Sequence, residues 1–292
     1  MKPGSAWRFI DTGHRDGAWN MAVDEVLLEE AATGGPPVVR VYGWSPPAVT
    51  LGYGQRSHHE LDQGACRRAG VEVVRRLTGG RAVLHWSELT YSVICAETEE
   101  RLAGTVEESH RRIAACLAAG MRSLGVAVDL ERGAPRRREA AAVSPGVPTA
   151  VHEPCFTSTA RWEVKWHGRK LIGSAQRRVR GGLLQHGSVL TGPEHRRLLE
   201  LLSGPPLPGA AAALEANSTD LAECLGRPVA FEEVASHLAA GFRRTLGIGL
   251  EAGPLTAAEE TRAEQLAVSR YRDPVFTAGP PGSTLRLGAA PS

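Results

Sequence analysis

Residues 161–176 read RWEVKWHGRKLIGSAQ and carry the clearest structural signal in the chain. Apolar and charged side chains alternate through the first six residues, which is the period of a half-buried β-strand. His167-Gly168 then supplies a tight turn, and residues 170–176 continue as a second extended run. The stretch therefore predicts a β-hairpin in the second half of the chain.

Further elements are predicted on both sides of this hairpin. Other β-rich runs are residues 38–42, 48–52, 71–75, 81–86, 89–95, 126–130 and 183–190. Helical periodicity is found at residues 17–32, 106–124, 194–202, 219–224, 231–246 and 257–271. Strands dominate the middle and helices the end without strict β-α-β alternation, which favours an α+β fold over a doubly wound sheet.

Capping signals place the start of three helices. Asp16 can cap the first, and Thr105 with Glu108 and Thr256 with Glu259 have the spacing of a capping box. Apolar residues recur at helical spacing in the first helix, which is therefore expected to be amphipathic, with one face buried.

Composition excludes several classes of protein. The 292 residues include 34 Lys+Arg and 32 Asp+Glu, and a net charge of +2 does not suit a nucleic-acid binder driven by bulk charge. The five cysteines are odd in number and include no C-x-x-C pair, which argues against a disulfide framework or a structural zinc site. No apolar run has the length of a membrane span, so a cytoplasmic protein with reduced thiols is expected.

Lysine is scarce in this chain. Of the 34 basic residues only Lys2, Lys165 and Lys170 are lysine, and two of them lie in the predicted hairpin. An ammonium can lose its proton, whereas a guanidinium cannot. Lys165 alternates with tryptophans and fits an ordinary strand position. Lys170 follows the turn and is either an exposed solubilising lysine or a group kept for proton transfer.

Residues 75–85 read RRLTGGRAVLH and form a second candidate site. Paired glycines allow backbone N–H groups to approach a ligand, and flanking arginines can hold a carboxylate or phosphate. A Gly-Gly hairpin turn with exposed arginines has the same pattern. No Walker A motif is present, which excludes a P-loop nucleotide site. His85 and His186 are interpreted as structural, because the sequence shows no carboxylate partner for either.

Cys155 is the candidate nucleophile. The segment before it, residues 132–154, is too polar and proline-rich to be core, whereas Cys95 and Cys116 fit buried structural positions. A thiol on an accessible loop in a reducing compartment is available for nucleophilic chemistry.

Taken in order, these motifs resemble the biotin/lipoate protein ligase superfamily, and within it the bacterial octanoyl-[acyl carrier protein]:protein octanoyltransferases of the cysteine–lysine type. The matching segments are residues 7–13, 20–25, 42–44, 46–52, 75–85, 89–93, 155–156, 168–176, 185–190 and 221–271. ATP-dependent lipoate ligases of the superfamily use no cysteine, and other octanoyltransferases place it after the lysine. In the type resembled here it comes before the lysine, as Cys155 precedes Lys170.

The resemblance implies a biotin/lipoate protein ligase-like α+β domain, with a mixed β-sheet flanked by helices and a helical C-terminal part. Residues 1–250 would form the transferase domain, and residues 251–278 a C-terminal helix packed on it. The Gly/Pro/Ala-rich residues 279–292 are expected to be a disordered tail.

The resemblance also implies a two-step acyl transfer with Cys155 and Lys170 as catalytic residues. The donor would be octanoyl acyl carrier protein and the acceptor a lysine of the glycine cleavage H protein or a lipoyl domain. No cofactor, metal, nucleic acid or membrane is implied. The substrate-binding candidates are Arg76, Thr78, Gly79, Gly80, Arg81, His85, Gly173, Ser174, Ala175 and Gln176. The basic run 136–138 either docks the acidic carrier protein or is a solvated loop.

Three alternative functions remain open on the sequence. An ATP-dependent lipoate ligase is disfavoured by Cys155, and a non-catalytic acyl-carrier-binding or scaffold protein by the presence of both Cys155 and Lys170. An amidotransferase that moves octanoyl between lipoyl proteins would also use a loop cysteine, so the sequence separates it poorly from the transferase.

Overall fold

The computed structural model describes residues 7–132 and 162–279. In chain order the strands are β1 (Trp7–Arg15), β2 (Val38–Trp44), β3 (Ala48–Leu51), β4 (Glu72–Arg75), β5 (Val83–His85), β6 (Glu88–Ala96), β7 (Asp129–Arg132), β8 (Trp162–Trp166), β9 (Arg169–Val179), β10 (Gly182–Leu190) and β11 (Leu250–Ala252). Within the described ranges they form an eight-stranded sheet and a three-stranded sheet.

The large sheet has the strand order β11-β1-β2-β6-β10-β9-β8-β7. β1 runs parallel to both of its neighbours, and the pairs from β2 to β7 are antiparallel. In the small sheet, β3 is parallel to β4 and antiparallel to β5. The predicted α+β class with a mixed sheet is confirmed.

Helices cover both faces of the large sheet. They are α1 (Gly17–Ala32), α2 (Ser57–Glu60), α3 (Gln63–Arg68), α4 (Val106–Ser123), α5 (Ala210–Asn217), α6 (Leu221–Leu225), α7 (Phe231–Leu246), α8 (Ala257–Leu266) and α9 (Pro274–Ala278), with a 3-10 helix at Pro193–Leu201 and a π-helical turn at Ala267–Tyr271. α4 and α7 pack together over one face, and α1 lies on the other face beneath α8. None of the described helices has the length and hydropathy needed to cross a membrane.

Local signals predicted several details correctly. The Asp16 carboxylate accepts a hydrogen bond from the Trp19 N–H, and the two predicted capping boxes start α4 and α8. In the hairpin turn, His167 and Gly168 have positive φ values of 47° and 76°. Positive φ at both central residues is the signature of the type I′ turn that joins twisted antiparallel strands.

The prediction that α1 is amphipathic is wrong. Every residue from Gly17 to Leu28 is buried, because the helix lies between the large sheet, the small sheet and α8. In place of the helix predicted over residues 194–202, the structure has the 3-10 helix Pro193–Leu201. The helix predicted over residues 257–271 ends as a π-helical turn. The sequence also missed β1 and β11, whose pairing joins residues some 240 positions apart in the chain.

Candidate active site

Lys170 lies at the start of β9, and its side chain is buried. Its Nζ is 2.8 Å from Oε1 of Glu163 on β8, and the two side chains are 7% and 3% exposed. The Lys170 carbonyl accepts a hydrogen bond from the Thr219 N–H, which ties this end of β9 to the loop before α6. Lys170 is therefore not the exposed solubilising lysine that the sequence left open.

Lys165 occupies a more exposed position on the same hairpin. Its Nζ is 2.8 Å from Oε2 of Glu131 on β7 and 3.7 Å from Oε2 of Glu163. The hydrogen bond that Lys165 donates to Glu131 raises the pKa of Lys165. Partial burial opposes this effect, and the charges of both carboxylates reinforce it. Lys165 therefore stays a cation on the outer side of Glu163.

His110 on α4 is a buried neighbour that sequence reasoning missed. Burial lowers its pKa to about 4, the charge of Lys170 acts in the same direction, and the charge of Glu163 opposes it. Among the described residues its Nδ1 has no hydrogen-bond partner. At neutral pH the imidazole is thus uncharged. Only the packing of α4 against the sheet reveals this proximity, since a histidine on a helix carries no signal of its neighbours.

We expect His110 to make the protein less stable on acidification. Its folded-state pKa of about 4 lies below the ordinary 6.5, so its contribution is full above pH 6.5 and is lost as the pH falls towards 4. The loss amounts to at most about 3 kcal/mol. Urea unfolding at pH 7 and pH 5 should show a smaller loss for His110→Gln than for the wild type. The exposed His14→Gln variant should lose as much as the wild type, and an undiminished loss in His110→Gln would contradict the assignment.

Arg76 supports the Thr-Gly-Gly turn of residues 78–80 from its buried side. Its guanidinium donates to the carbonyls of Gly79 at 2.8 Å and Arg81 at 2.7 Å, and to the carbonyl of Thr50 at 2.8 Å. Arg76 is only 5% exposed, whereas both glycines of the turn are exposed. Arg76 therefore fixes the shape of the turn, and the glycine backbone forms its accessible surface.

His186 connects this turn to the core. Its Nε2 lies 2.7 Å from the Thr78 hydroxyl, and its Nδ1 lies 3.1 Å from Oδ2 of Asp24 on α1. Burial lowers the pKa of His186, against the opposing hydrogen bond and charge of Asp24. Burial would raise the pKa of Asp24, but Arg40 and His186 together hold it below its ordinary value. The sequence pattern showed no carboxylate partner for His186, and the structure supplies one, Asp24 on α1.

His85 has a similar arrangement. Its Nε2 lies 2.8 Å from the Thr50 hydroxyl and its Nδ1 lies 2.8 Å from Oε1 of Glu88, while its ring stacks on Trp44 at a centroid distance of 4.1 Å. Within the described part of the chain, Oε2 of Glu88 has no hydrogen-bond partner. Contacts on both ring nitrogens and one ring face hold His85 in a single orientation beside the turn.

The candidates on β9 divide between the two faces of the sheet. Gly173 and Ala175 pair with β10 residues that contact the turn region, Ala175 directly opposite His186. Ser174 instead contacts a tyrosine hydroxyl of β6 at 2.7 Å, and the Gln176 amide donates to a serine hydroxyl of α4 at 3.0 Å. The small residues therefore face the Thr-Gly-Gly turn, and the polar ones face α4.

Cys155 and the basic run 136–138 lie outside the described residues. The flanking residues are described: Arg132 at the end of β7 pairs directly with Trp162 at the start of β8. The residues that flank the segment with Cys155 are therefore paired neighbours: Arg132 ends β7, and Trp162 begins β8, the strand next to that of Lys170.

Comparison with known proteins identifies the family of the chain. Residues 16–243 match the family model of the lipoyl protein ligase A/B catalytic domain. The chain belongs to this lipoyl protein ligase family. The resemblance inferred from the motifs is thus confirmed, although the family model alone does not separate ligases from transferases.

Two relatives with high sequence identity to this chain are octanoyltransferases. The chain is 45% identical to an octanoyltransferase LipM of Symbiobacterium thermophilum, over 91% of this chain and 95% of the relative. It is 40% identical to an octanoyltransferase LipM of Kyrpidia tusciae, over 91% and 97%.

Solved structures of the family share the fold. A bi-partite lipoate protein ligase from Thermoplasma acidophilum superposes with a TM-score of 0.75 at 21% identity, covering 94% of this chain and 97% of its own. A lipoate-protein ligase A bound with ATP gives 0.72 at 22% identity, covering 96% and 100%. At these identities the likeness establishes the fold alone.

Proposed function

We propose that the chain is a cytoplasmic octanoyltransferase of lipoate biosynthesis. It takes the octanoyl group from an acyl carrier protein and transfers it to a lysine of the glycine cleavage H protein or a lipoyl domain. The observation that carries the proposal is 45% identity over 95% of the length of an octanoyltransferase. The solved ligases are only 21% and 22% identical, so they support the fold and not the use of ATP.

The proposed reaction has two covalent steps. The Cys155 thiolate attacks the donor thioester, a new thioester forms on Cys155, and the carrier's thiol leaves with a proton. The amine of the acceptor lysine then attacks the acyl-enzyme, an amide forms, and the Cys155 sulfur is released. The donor thioester is already activated, so the transfer consumes no nucleotide.

Lys170 is the proposed partner of Cys155 in both steps. Lowering the pKa of a thiol from ~8.5 to about 7 requires about 2 kcal/mol, and an ammonium within ~4 Å supplies up to ~4 kcal/mol at a protein-like dielectric. The Glu163 carboxylate, 2.8 Å from Nζ, offsets part of that field. The ammonium can also donate a proton to the leaving thiolate, and the resulting amine can accept one from the incoming lysine.

Small residues around the turn form the proposed acyl site. Gly79 and Gly80 offer backbone N–H groups at the surface, and Gly173 and Ala175 on β9 leave room for a chain to lie against the sheet. Backbone donors of this kind can stabilise the oxyanion that forms during thioester attack. Lys170 precedes Gly173 by three residues on the same strand, about 10 Å along it.

Intact-protein mass spectrometry tests this function. After incubation with octanoyl acyl carrier protein and no ATP, the wild type should carry one octanoyl adduct, and adding a lipoyl domain should discharge it. Cys155→Ala should form no adduct, and the matched control Cys224→Ala should form it normally. Acylation only from free octanoate with ATP would indicate a ligase, and an adduct formed only from an octanoylated lipoyl protein would indicate an amidotransferase. Either result contradicts the proposal.

A further inference from the structure

We infer that Glu163 is a positioning residue that holds the Lys170 ammonium at the acyl-transfer site. The inference rests on the proposed function and adds to it a residue that the sequence motifs did not single out. The pairing of β8 with β9 is irregular at Lys170, and this irregularity brings the two side chains together.

A β-bulge places Lys170 on the same face of the sheet as Glu163. Val164 pairs with Ile172, but Lys165 pairs with Lys170, so β9 contains one extra residue at this point. Because successive side chains of a strand alternate between faces, regular pairing would put Lys170 on the face opposite to Lys165. Bulges characteristically re-aim a side chain in this way.

The same register identifies which face this is. Val164 and Ile172 belong to the core beneath α4 and α7, so Glu163 and Lys165 lie on the other face. Gly173 lies on that other face as well, towards the Thr-Gly-Gly turn, as its pairing with β10 shows. The bulge thus directs Lys170 to the side of the sheet that carries the proposed acyl site.

Lys165 and Lys170 lie directly opposite each other on neighbouring strands, so a negative charge between them is needed to offset their repulsion. Like charges in directly opposed strand positions repel. Glu163 supplies the compensating charge, since its Oε1 lies 2.8 Å from Nζ of Lys170 and its Oε2 lies 3.7 Å from Nζ of Lys165. At 3% exposure the carboxylate is itself costly to bury unless it stays paired.

Two described neighbours, Glu131 and His110, favour the pairing of Glu163 with Lys170. Glu131 engages Lys165 from the solvent side at 2.8 Å, which draws that lysine outward. His110 is uncharged at neutral pH, because burial holds its pKa at about 4. A lysine head group on a flexible stem is thereby fixed before the substrate arrives, and less motional freedom is lost in the reaction.

Single-turnover acylation of Cys155 by octanoyl acyl carrier protein tests the role of Glu163. In Glu163→Gln, which keeps the size and the hydrogen-bond acceptor but removes the charge, the maximal rate should fall about tenfold with the half-saturating carrier concentration within about twofold. Glu163→Asp should recover at least about a third of the wild-type rate. Glu200→Gln, the same change on an exposed carboxylate that pairs with Arg197, should acylate at the wild-type rate.

The outcomes separate this inference from the proposed function. If folded Glu163→Gln acylates at the native rate, or if only the half-saturating concentration changes, Glu163 does not position Lys170. A lower melting temperature with an unchanged maximal rate would assign Glu163 a structural role and overturn the inference. If the wild type itself forms no adduct, it is the proposed function that fails.

Discussion

Replacing Asp24 with alanine should lower the free energy of unfolding by about 3–5 kcal/mol. Asp24 is 1% exposed and pairs with Arg40, which is fully buried, at 2.7 Å between Oδ1 and Nη1. The same carboxylate accepts hydrogen bonds from the Ser92 and Tyr42 hydroxyls. Alanine would leave the guanidinium in the core without its counter-ion, and removing one partner of a buried pair costs far more than the pair contributes in net terms.

Urea unfolding at pH 7 measures the effect of Asp24→Ala. Glu200→Ala is the matched control, because Glu200 also pairs with an arginine, Arg197, but at 3.3 Å and with both side chains largely exposed. Solvent screens such a pair, and the control should stay close to the wild type. Equal losses in the two variants would show that the Asp24 pair is not isolated from water.

Acid should weaken the Asp24 pair only at low pH. The pKa of Asp24 lies below its ordinary value of 3.8, because Arg40 and His186 outweigh the effect of burial. The stabilisation from Asp24 is therefore complete above about pH 3.8 and is lost as the pH falls through the lower folded-state value. The loss expected between pH 6.5 and 4 therefore does not come from Asp24 but from buried histidines whose pKa is lowered, His110 among them together with His186 and His195.

Replacing Gly52 with alanine should lower the rate of octanoyl transfer on the order of 100-fold. A Cβ on Gly52 would overlap the carbonyl oxygen of Gly80, which is backbone and cannot rotate away. Gly52 itself is held in place, since its carbonyl accepts a hydrogen bond from Arg75 at 2.8 Å. The Thr-Gly-Gly turn must therefore move, and a displacement of about an ångström at a reacting centre has an effect of this size.

Gly54→Ala is the matched control for Gly52→Ala. Its added Cβ meets nothing within 4 Å, although the position lies only two residues further along the chain. Steady-state octanoyl transfer, with circular dichroism to confirm folding, should show a large loss in Gly52→Ala and the native rate in Gly54→Ala. Native transfer by a folded Gly52→Ala would remove the turn from the proposed acyl site.

The parts of the fold that the sequence predicted are those with local causes. Helix α4 begins where Thr105 and Glu108 cap each other, and the hairpin turns at His167 and Gly168, because each signal lies within a few residues. Strand β1 had no such signal, since its partners come from distant parts of the chain. The complete burial of α1 likewise depends on elements that close over it from both sides.

The candidate site divides in the same way. Motif order alone indicated Lys170 and the Thr-Gly-Gly turn, because chemistry restricts which residue types occupy those positions. The partners of His85 and His186 were not predictable in this way, and neither was the neutral His110 on α4. Asp24 reaches His186 from a distant part of the chain, and His110 is neutral because the packing of α4 buries it. Glu88 lies only three residues after His85, but its contact with the ring depends on how β5 turns into β6.

The sequence by itself determined the class of fold, the family and the two residues proposed for acyl transfer, because periodicity, caps and motif order are written along the chain. Tertiary structure alone decided the environment of Lys170. A single extra residue in β9 turns this lysine to the face of Glu163, where both charges are buried at 2.8 Å. Strand register depends on how whole strands align, so the scarcity of lysine could mark Lys170 but not reveal the carboxylate that holds it.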